Sequence, residues 1–202
     1  MLADLCVCGL VPRRPTRTRL VLLMHHVEAL RQSNTGRLAR AVLQDVEIRL
    51  RGKPDQPLRL DDLLDRSRRP LLLFPGAGAR VLDAGLVAED ARPVTLLVPD
   101  GTWNLARKIP LRQRELDSVE RVCLPREGPS EYRLRHSPHP HQLSTLEAIA
   151  RAMGILEDAS LRTDLERVFR VARDRILWSQ GKLPEAQVEG GLPFRQVRHP
   201  PT

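Results

Sequence analysis

The side chains best suited to chemistry in this 202-residue sequence stand beside glycines at the ends of short apolar runs. Asp100-Gly101-Thr102-Trp103 follows the run VTLLV at 94–98 and offers a carboxylate that can take up a proton, a glycine for close backbone approach, a hydroxyl and a large ring. That set suits a nucleotide-like ligand or an oriented base. A helix cap by Asp100 or Thr102, with Trp103 stapling the helix to a sheet, accounts for the same spacing. Only two tryptophans and one tyrosine occur in the chain, so a Trp at this position is worth following. Ser33-Asn34-Thr35-Gly36-Arg37 gathers hydrogen-bonding side chains at an expected helix start, where exposed N–H groups attract a carboxylate or a phosphate. A capping segment with a solvated arginine fits equally. Ser144-Thr145-Leu146-Glu147 has capping-box spacing. Pro75-Gly76-Ala77-Gly78 is a strand-to-loop turn that matches neither the dinucleotide fingerprint nor the phosphate-binding loop.

Metal and hydrolase chemistry find less support. Cys6-x-Cys8 is half of a zinc set, and Cys123 is the one thiol left, whereas a structural zinc takes four ligands. His136, His139 and His141 alternate with prolines in an extended loop, which reads as solvated. The sequence contains no GxSxG and no HExxH.

Positioning the polar groups calls for strands and helices in alternation. RLVLLM at 19–24, LLLF at 71–74 and VTLLV at 94–98 are continuous apolar runs, the mark of strands buried on both faces of a parallel sheet. VEIRL at 46–50 and residues 119–124 read as further strands. Helices are expected from Thr35, with Leu38, Ala41 and Val42 inward; over 61–64; and from Trp103 toward Lys108, kinked or ended by Pro110. Two more follow, one after Ser144 carrying Leu146, Ile149, Ala150 and Met153, and a long last one running to Gly181. The expectation is an α/β fold: a mainly parallel sheet with flanking helices. Residues 1–18 read as an appendage carrying the C-x-C, 19–181 as the main folded domain, and 182–202 as a proline-containing tail. Ligands in such sheets bind beyond the carboxyl ends of the strands, which selects His25-His26, Pro75-Gly76 and Asp100.

The formal net charge is +8, and of 33 basic residues only Lys53, Lys108 and Lys182 are lysines. Arginine pairs with two phosphate oxygens at once, which suits a nucleic-acid partner. Genome base composition is the competing explanation for the Arg bias. No apolar run approaches the ~20 residues of a membrane helix, and no signal-peptide pattern opens the chain, so a cytoplasmic location and no membrane partner are expected.

Taken in order, Cys6-x-Cys8, TRLVLLMHHVE at 18–28, SNTGRLA at 33–39, LLLFPG at 71–76, Asp100-x-Thr102-Trp103 with Ala106-Arg107-Lys108, Tyr132-x-x-Arg135 and Ser144-Thr145-Leu146-Glu147-Ala148 resemble the DTW-domain family. These are the transfer-RNA uridine aminocarboxypropyltransferases, and the resemblance covers residues 6–155. It implies transfer of the 3-amino-3-carboxypropyl group of S-adenosylmethionine to N3 of a uridine in tRNA, giving acp3U and methylthioadenosine. The implied fold is similar to the SPOUT class of RNA-modifying enzymes, whose cofactor pocket is a knotted, trefoil strand-loop region.

On that resemblance Asp100, Thr102 and Trp103 are the catalytic candidates, with Asp100 as proton acceptor. His25, Ser33, Asn34, Thr35, Arg37, Pro75, Gly76, Ser144, Thr145 and Glu147 are candidates for holding the cofactor, and Arg107, Lys108, Arg112 and Arg114 for contacting RNA phosphates. Replacing Asp100 by Ala is expected to abolish transfer and leave the fold intact. Family members commonly carry a further cysteine pair upstream of the C-x-C; none precedes Cys6 here, which leaves zinc unsupported. The alternatives are a SPOUT-like RNA methyltransferase and a non-catalytic basic RNA-binding protein; the expected partner is tRNA, with no protein partner identified, and the protein is expected as a monomer or a homodimer.

Overall fold

The computed structural model describes residues 5–53, 57–134 and 142–193. Its strands β1 (Arg19–His25), β2 (Val46–Arg51), β3 (Arg69–Leu73), β4 (Arg80–Val81), β5 (Val94–Asp100) and β6 (Glu120–Cys123) form one six-stranded sheet in the order β2-β1-β5-β3-β6-β4. Every pairing is parallel. The expected α/β architecture is therefore present.

Alternation along the strands divides the core in two. Leu20, Leu22 and Met24 of β1 and Leu96 and Val98 of β5 face one side, while Val21, Leu23 and Leu97 face the other. The first side is covered by α4 (Thr145–Leu156) and α5 (Ala159–Ser179), through Leu146, Ile149, Met153, Leu165 and Phe169. Opposite, Leu58, Leu60, Leu63, Ile109 and Leu116 cover the sheet. All seven residues of the central β5 are buried, so an apolar run without period 2 was the right signal for it.

Three short helices complete the flanks: α1 (Ala84–Ala88), α2 (Trp103–Ala106) and α3 (Lys108–Arg112). Pro110 neither kinks nor ends a helix. It occupies the first turn of α3, where a missing N–H costs no hydrogen bond. Residues 36–41 form a 3-10 helix in place of the expected α-helix, tightened by Leu38 N donating to Thr35 O at 3.0 Å.

The segment 5–18 contributes no strand to the sheet beyond an isolated parallel bridge from Arg14 to Leu43, yet Val7 and Val11 are core residues. Glu157, after α4, accepts from the Arg17 and Thr18 N–H groups at 3.2 and 2.7 Å. On α5 the buried Arg175 guanidinium donates to Cys6 O and, at 2.9 Å, to Gly191 O.

Candidate active site

The carboxyl ends of β1, β5, β3 and β6 lie side by side, and Asp100, the last residue of β5, is the point where three chain segments meet. Its side chain is 1% exposed. Oδ2 accepts from Asn34 Nδ2 at 2.8 Å, and Oδ1 from the Thr145 hydroxyl at 2.6 Å. A Cβ at Gly36 would lie 2.7 Å from Asp100 Oδ2, so that glycine is where the 33–36 loop closes on the carboxylate. Thr35 does not cap its 3-10 helix; its Oγ1 accepts from Leu146 N at 3.3 Å instead. The loop after β1, the end of β5 and the start of α4 are thus tied together by side-chain hydrogen bonds.

The helix-cap reading holds for Thr102, and Trp103 stands at the rim of the site. Thr102 Oγ1 accepts from Leu105 N at 3.3 Å and caps α2. Trp103 is 37% exposed, packs on Phe74 with ring centroids 5.7 Å apart, and stands between two clefts. One cleft, of about 380 Å³, is walled by Leu73, Phe74, Pro75, Val98, Leu124, Pro125, Leu143 and Trp103. The other, of about 310 Å³, is lined by Glu28, Ser33, Asn34, Thr35, Asp100, Thr102, Asn104 and Tyr132. Gly101, Trp103, Leu143, Ser144 and Thr145 border both. Each volume falls in the roughly 300–1,000 Å³ range of small-molecule sites.

Ser144 and Glu147 form the capping box that their spacing announced. Glu147 also reaches further, accepting from Ser130 Oγ at 2.8 Å and Glu131 N at 2.7 Å, so it fixes the 128–132 segment over the clefts without lining either. Pro75 borders the apolar cleft, whereas Gly76 lies against Arg121. Arg37 braces its own loop by donating to Ala29 O at 3.2 Å. His25 is turned to the β2 side, where a Cβ at Gly52 would be 2.7 Å from its Nε2. Arg107, Arg112 and Arg114 are exposed and Lys108 half-buried, on and after α2 and α3 beyond Trp103.

Arg135 and the His136, His139 and His141 loop lie outside the described residues. Among the described residues no group of three His, Cys, Asp or Glu side chains comes together to hold a metal. Cys8 N donates to Cys6 Sγ at 3.4 Å, and the Cys6 sulfur beside it raises the Cys8 thiol above its ordinary pKa. Cys123 is elsewhere, on the wall of the apolar cleft. No helix among the described residues is long and apolar enough to cross a membrane.

A family model for the DTW domain matches residues 1–177. The chain belongs to the DTW-domain family.

Within that family, tRNA-uridine aminocarboxypropyltransferase 2 of Mus musculus is 32% identical over 158 residues, covering 75% of this chain and 53% of its own length. The protein of the same name in Drosophila melanogaster is 32% identical over 170 residues, 80% of this chain and 66% of that one. This DTW domain therefore spans about half the length of the mammalian relatives that it matches. Among solved structures, the SAM-dependent rRNA:acp-transferase Tsr3 from Vulcanisaeta distributa overlaps 86% of this chain and 85% of its own at a TM-score of 0.46 and 16% identity.

Two residues of the DTW domain's clefts escaped sequence reasoning as site residues. Glu28 is 0% exposed, lines the polar cleft and is paired with Arg31 Nε at 3.2 Å. Its Cγ lies 3.5 Å from where a Cβ on Gly101 would stand. The usable signal was an acid four residues past an apolar run that ends at Met24. Tyr132 donates from its hydroxyl to Ser33 O at 2.7 Å, across 99 residues of sequence, a separation that no local pattern reveals.

Proposed function

We propose that this DTW domain transfers the 3-amino-3-carboxypropyl group of S-adenosylmethionine to N3 of a uridine in tRNA. The observation that carries the reading is the meeting of an apolar cleft and a carboxylate-bearing polar cleft at Trp103 and Thr145. The donor set fits the group: Leu73, Phe74, Val98 and Leu124 suit an adenine ring, while Asp100 and Glu28 offer oxygens for an ammonium. The names of the relatives support the same reaction. The SPOUT-like description of the sheet belongs with this proposal.

When bound, S-adenosylmethionine supplies a carbon activated by its sulfonium, and the C–S bond breaks as the N3–C bond forms, leaving neutral methylthioadenosine. Asp100 is the group that takes the N3 proton, held in place by Asn34 and Thr145. Ser33, Asn34 and Thr35 line the side of the polar cleft where the amino-acid moiety is bound. Trp103 separates adenosine from the chain being transferred. Positioning selects the product, because methyl and aminocarboxypropyl carbons are attached to the same sulfur.

Nucleosides from tRNA incubated with the protein and S-adenosylmethionine are expected to contain acp3U by mass spectrometry, with methylthioadenosine as coproduct. S-adenosylhomocysteine with a methylated nucleoside would replace this reading by a methyltransferase, and unchanged RNA would leave only RNA binding. Trp103→Ala is expected to weaken S-adenosylmethionine binding by roughly tenfold, about 1.4 kcal/mol, in calorimetry. An unaltered Kd removes Trp103 from the cofactor wall.

A further inference from the structure

We propose that Tyr132 is a positioning residue for the proton acceptor, acting through Ser33 and Asn34 on Asp100. The proposal rests on the acp-transfer reading above and adds to it a residue that works through others. Tyr132 is the single tyrosine of the chain and belongs to a stretch, 124–134, that has no helix or strand. Its hydroxyl donates to Ser33 O at 2.7 Å. The next residue of that loop, Asn34, is 4% exposed and donates from Nδ2 to Asp100 Oδ2 at 2.8 Å. One residue further, Thr35 Oγ1 accepts from Leu146 N at 3.3 Å and pins the loop to the start of α4. Asn34 is therefore held between two tethers, Tyr132 before it and Thr35 after it.

The first tether is stiff because Tyr132 is itself fixed from below. A stretch without helix or strand has no backbone ladder to locate it, so other hydrogen bonds must do so. Tyr132 N donates to Ser130 Oγ at 3.1 Å, and Ser130 Oγ donates to Glu147 Oε2 at 2.8 Å. Glu131 N donates to Glu147 Oε1 at 2.7 Å. From α5, Arg173 Nη1 donates to Glu131 Oε2 at 3.0 Å. The Tyr132 ring packs on Phe169 with centroids 6.4 Å apart, and the Arg173 guanidinium lies 5.9 Å from the same Phe169 ring. The stretch is thus clamped to the first turn of α4 and to α5, the two helices that cover the sheet. A tyrosine suits the task, since its rigid ring packs on an apolar neighbour while its polar tip reaches a carbonyl. Losing the hydroxyl loosens the Ser33 end and lets the Asn34 donor drift from Asp100. A shift of about 1 Å in a reacting group costs up to about 10²-fold in rate.

Tyr132→Phe keeps the ring on Phe169 and removes only the hydroxyl. It is expected to lower kcat for acp3U formation by about tenfold with KM for tRNA unchanged, and to shift Tm by no more than about 4 °C. Amide hydrogen exchange on the ligand-free protein reads the loop itself. Residues 31–38, where Asn34 N donates to Arg31 O and Leu38 N to Thr35 O, are expected to exchange about tenfold faster in the variant, with β1 and β5 protected as in wild type. A double-mutant cycle with Asn34→Ala tests the route: Tyr132→Phe is expected to cost less than about twofold in the Asn34→Ala background. The same tenfold loss in both backgrounds, a loss carried by KM for tRNA, or unchanged exchange over 31–38 overturns the positioning role. A wild type that forms no acp3U ends the reaction reading instead, and faster exchange over 31–38 in Tyr132→Phe would still establish the tether on the Asp100 loop. A wild type that forms acp3U no faster than Tyr132→Phe removes the positioning role and leaves the reaction standing.

Discussion

Asp100→Ala is expected to lose transfer activity by about 10²–10⁴-fold and also to melt lower than the wild-type protein. The second half revises what the sequence suggested, because the carboxylate is not an appendage on a finished fold. Its removal leaves the Asn34 amide and the Thr145 hydroxyl without their acceptor in a site that is 1% exposed. A stranded donor costs roughly 1–3 kcal/mol, so a loss of about 2–4 kcal/mol follows once water fills part of the space. For a chain of this size that is a fall of roughly 5–15 °C in Tm. Asp100→Asn separates the roles, because the amide keeps the volume and one acceptor but cannot accept a proton. It is expected to recover part of the stability and none of the activity. An Asn variant with wild-type acp3U formation would end the proton-acceptor role and leave the tethering role. An Ala variant with wild-type Tm would end the tethering role.

Gly36→Ala inverts the ordinary rule for glycine. In a helical turn the change to Ala normally stabilises by up to ~1 kcal/mol. Here the new methyl would stand 2.7 Å from Asp100 Oδ2, 3.0 Å from its Cγ and 3.0 Å from Thr145 Cγ2. None of these atoms is the loose end of a flexible side chain, since the carboxylate is held from both sides. Overpacking of this kind costs roughly 1–3 kcal/mol. A displacement of the carboxylate by about 1 Å would cost up to 10²-fold in rate. The expected result is therefore a Tm lower by roughly 2–12 °C together with strongly reduced acp3U formation. A variant that melts higher and turns over normally would mean that the loop can withdraw from Asp100 without consequence.

Both effects depend on geometry that the sequence only partly discloses. The runs at 19–24, 71–74 and 94–98 announced β1, β3 and β5, because strands covered on both faces need apolar residues at every position. β4 was missed: it is two exposed residues, Arg80 and Val81, paired among the described residues with β6 alone. α1 is five residues long and leaves no measurable period. Among site residues, Ser144 and Glu147 were legible as a capping box because both partners lie within one turn. The clamp from Glu147 to Ser130 and Glu131, and the bond from Tyr132 to Ser33, were not, since they join segments that only the fold brings together. His25 was chosen for its place at a strand end, but a strand end has two sides, and the ring turns toward β2 and away from the clefts.

The guanidinium of Arg175 holds the carbonyls of Cys6 and Gly191 from the middle of α5. Cutting the chain back past Cys6 or past Gly191 consequently strands a buried cation, a defect that no surface substitution repairs. The segments before β1 and after α5 share one closure, with a single side chain tying Cys6 to Gly191.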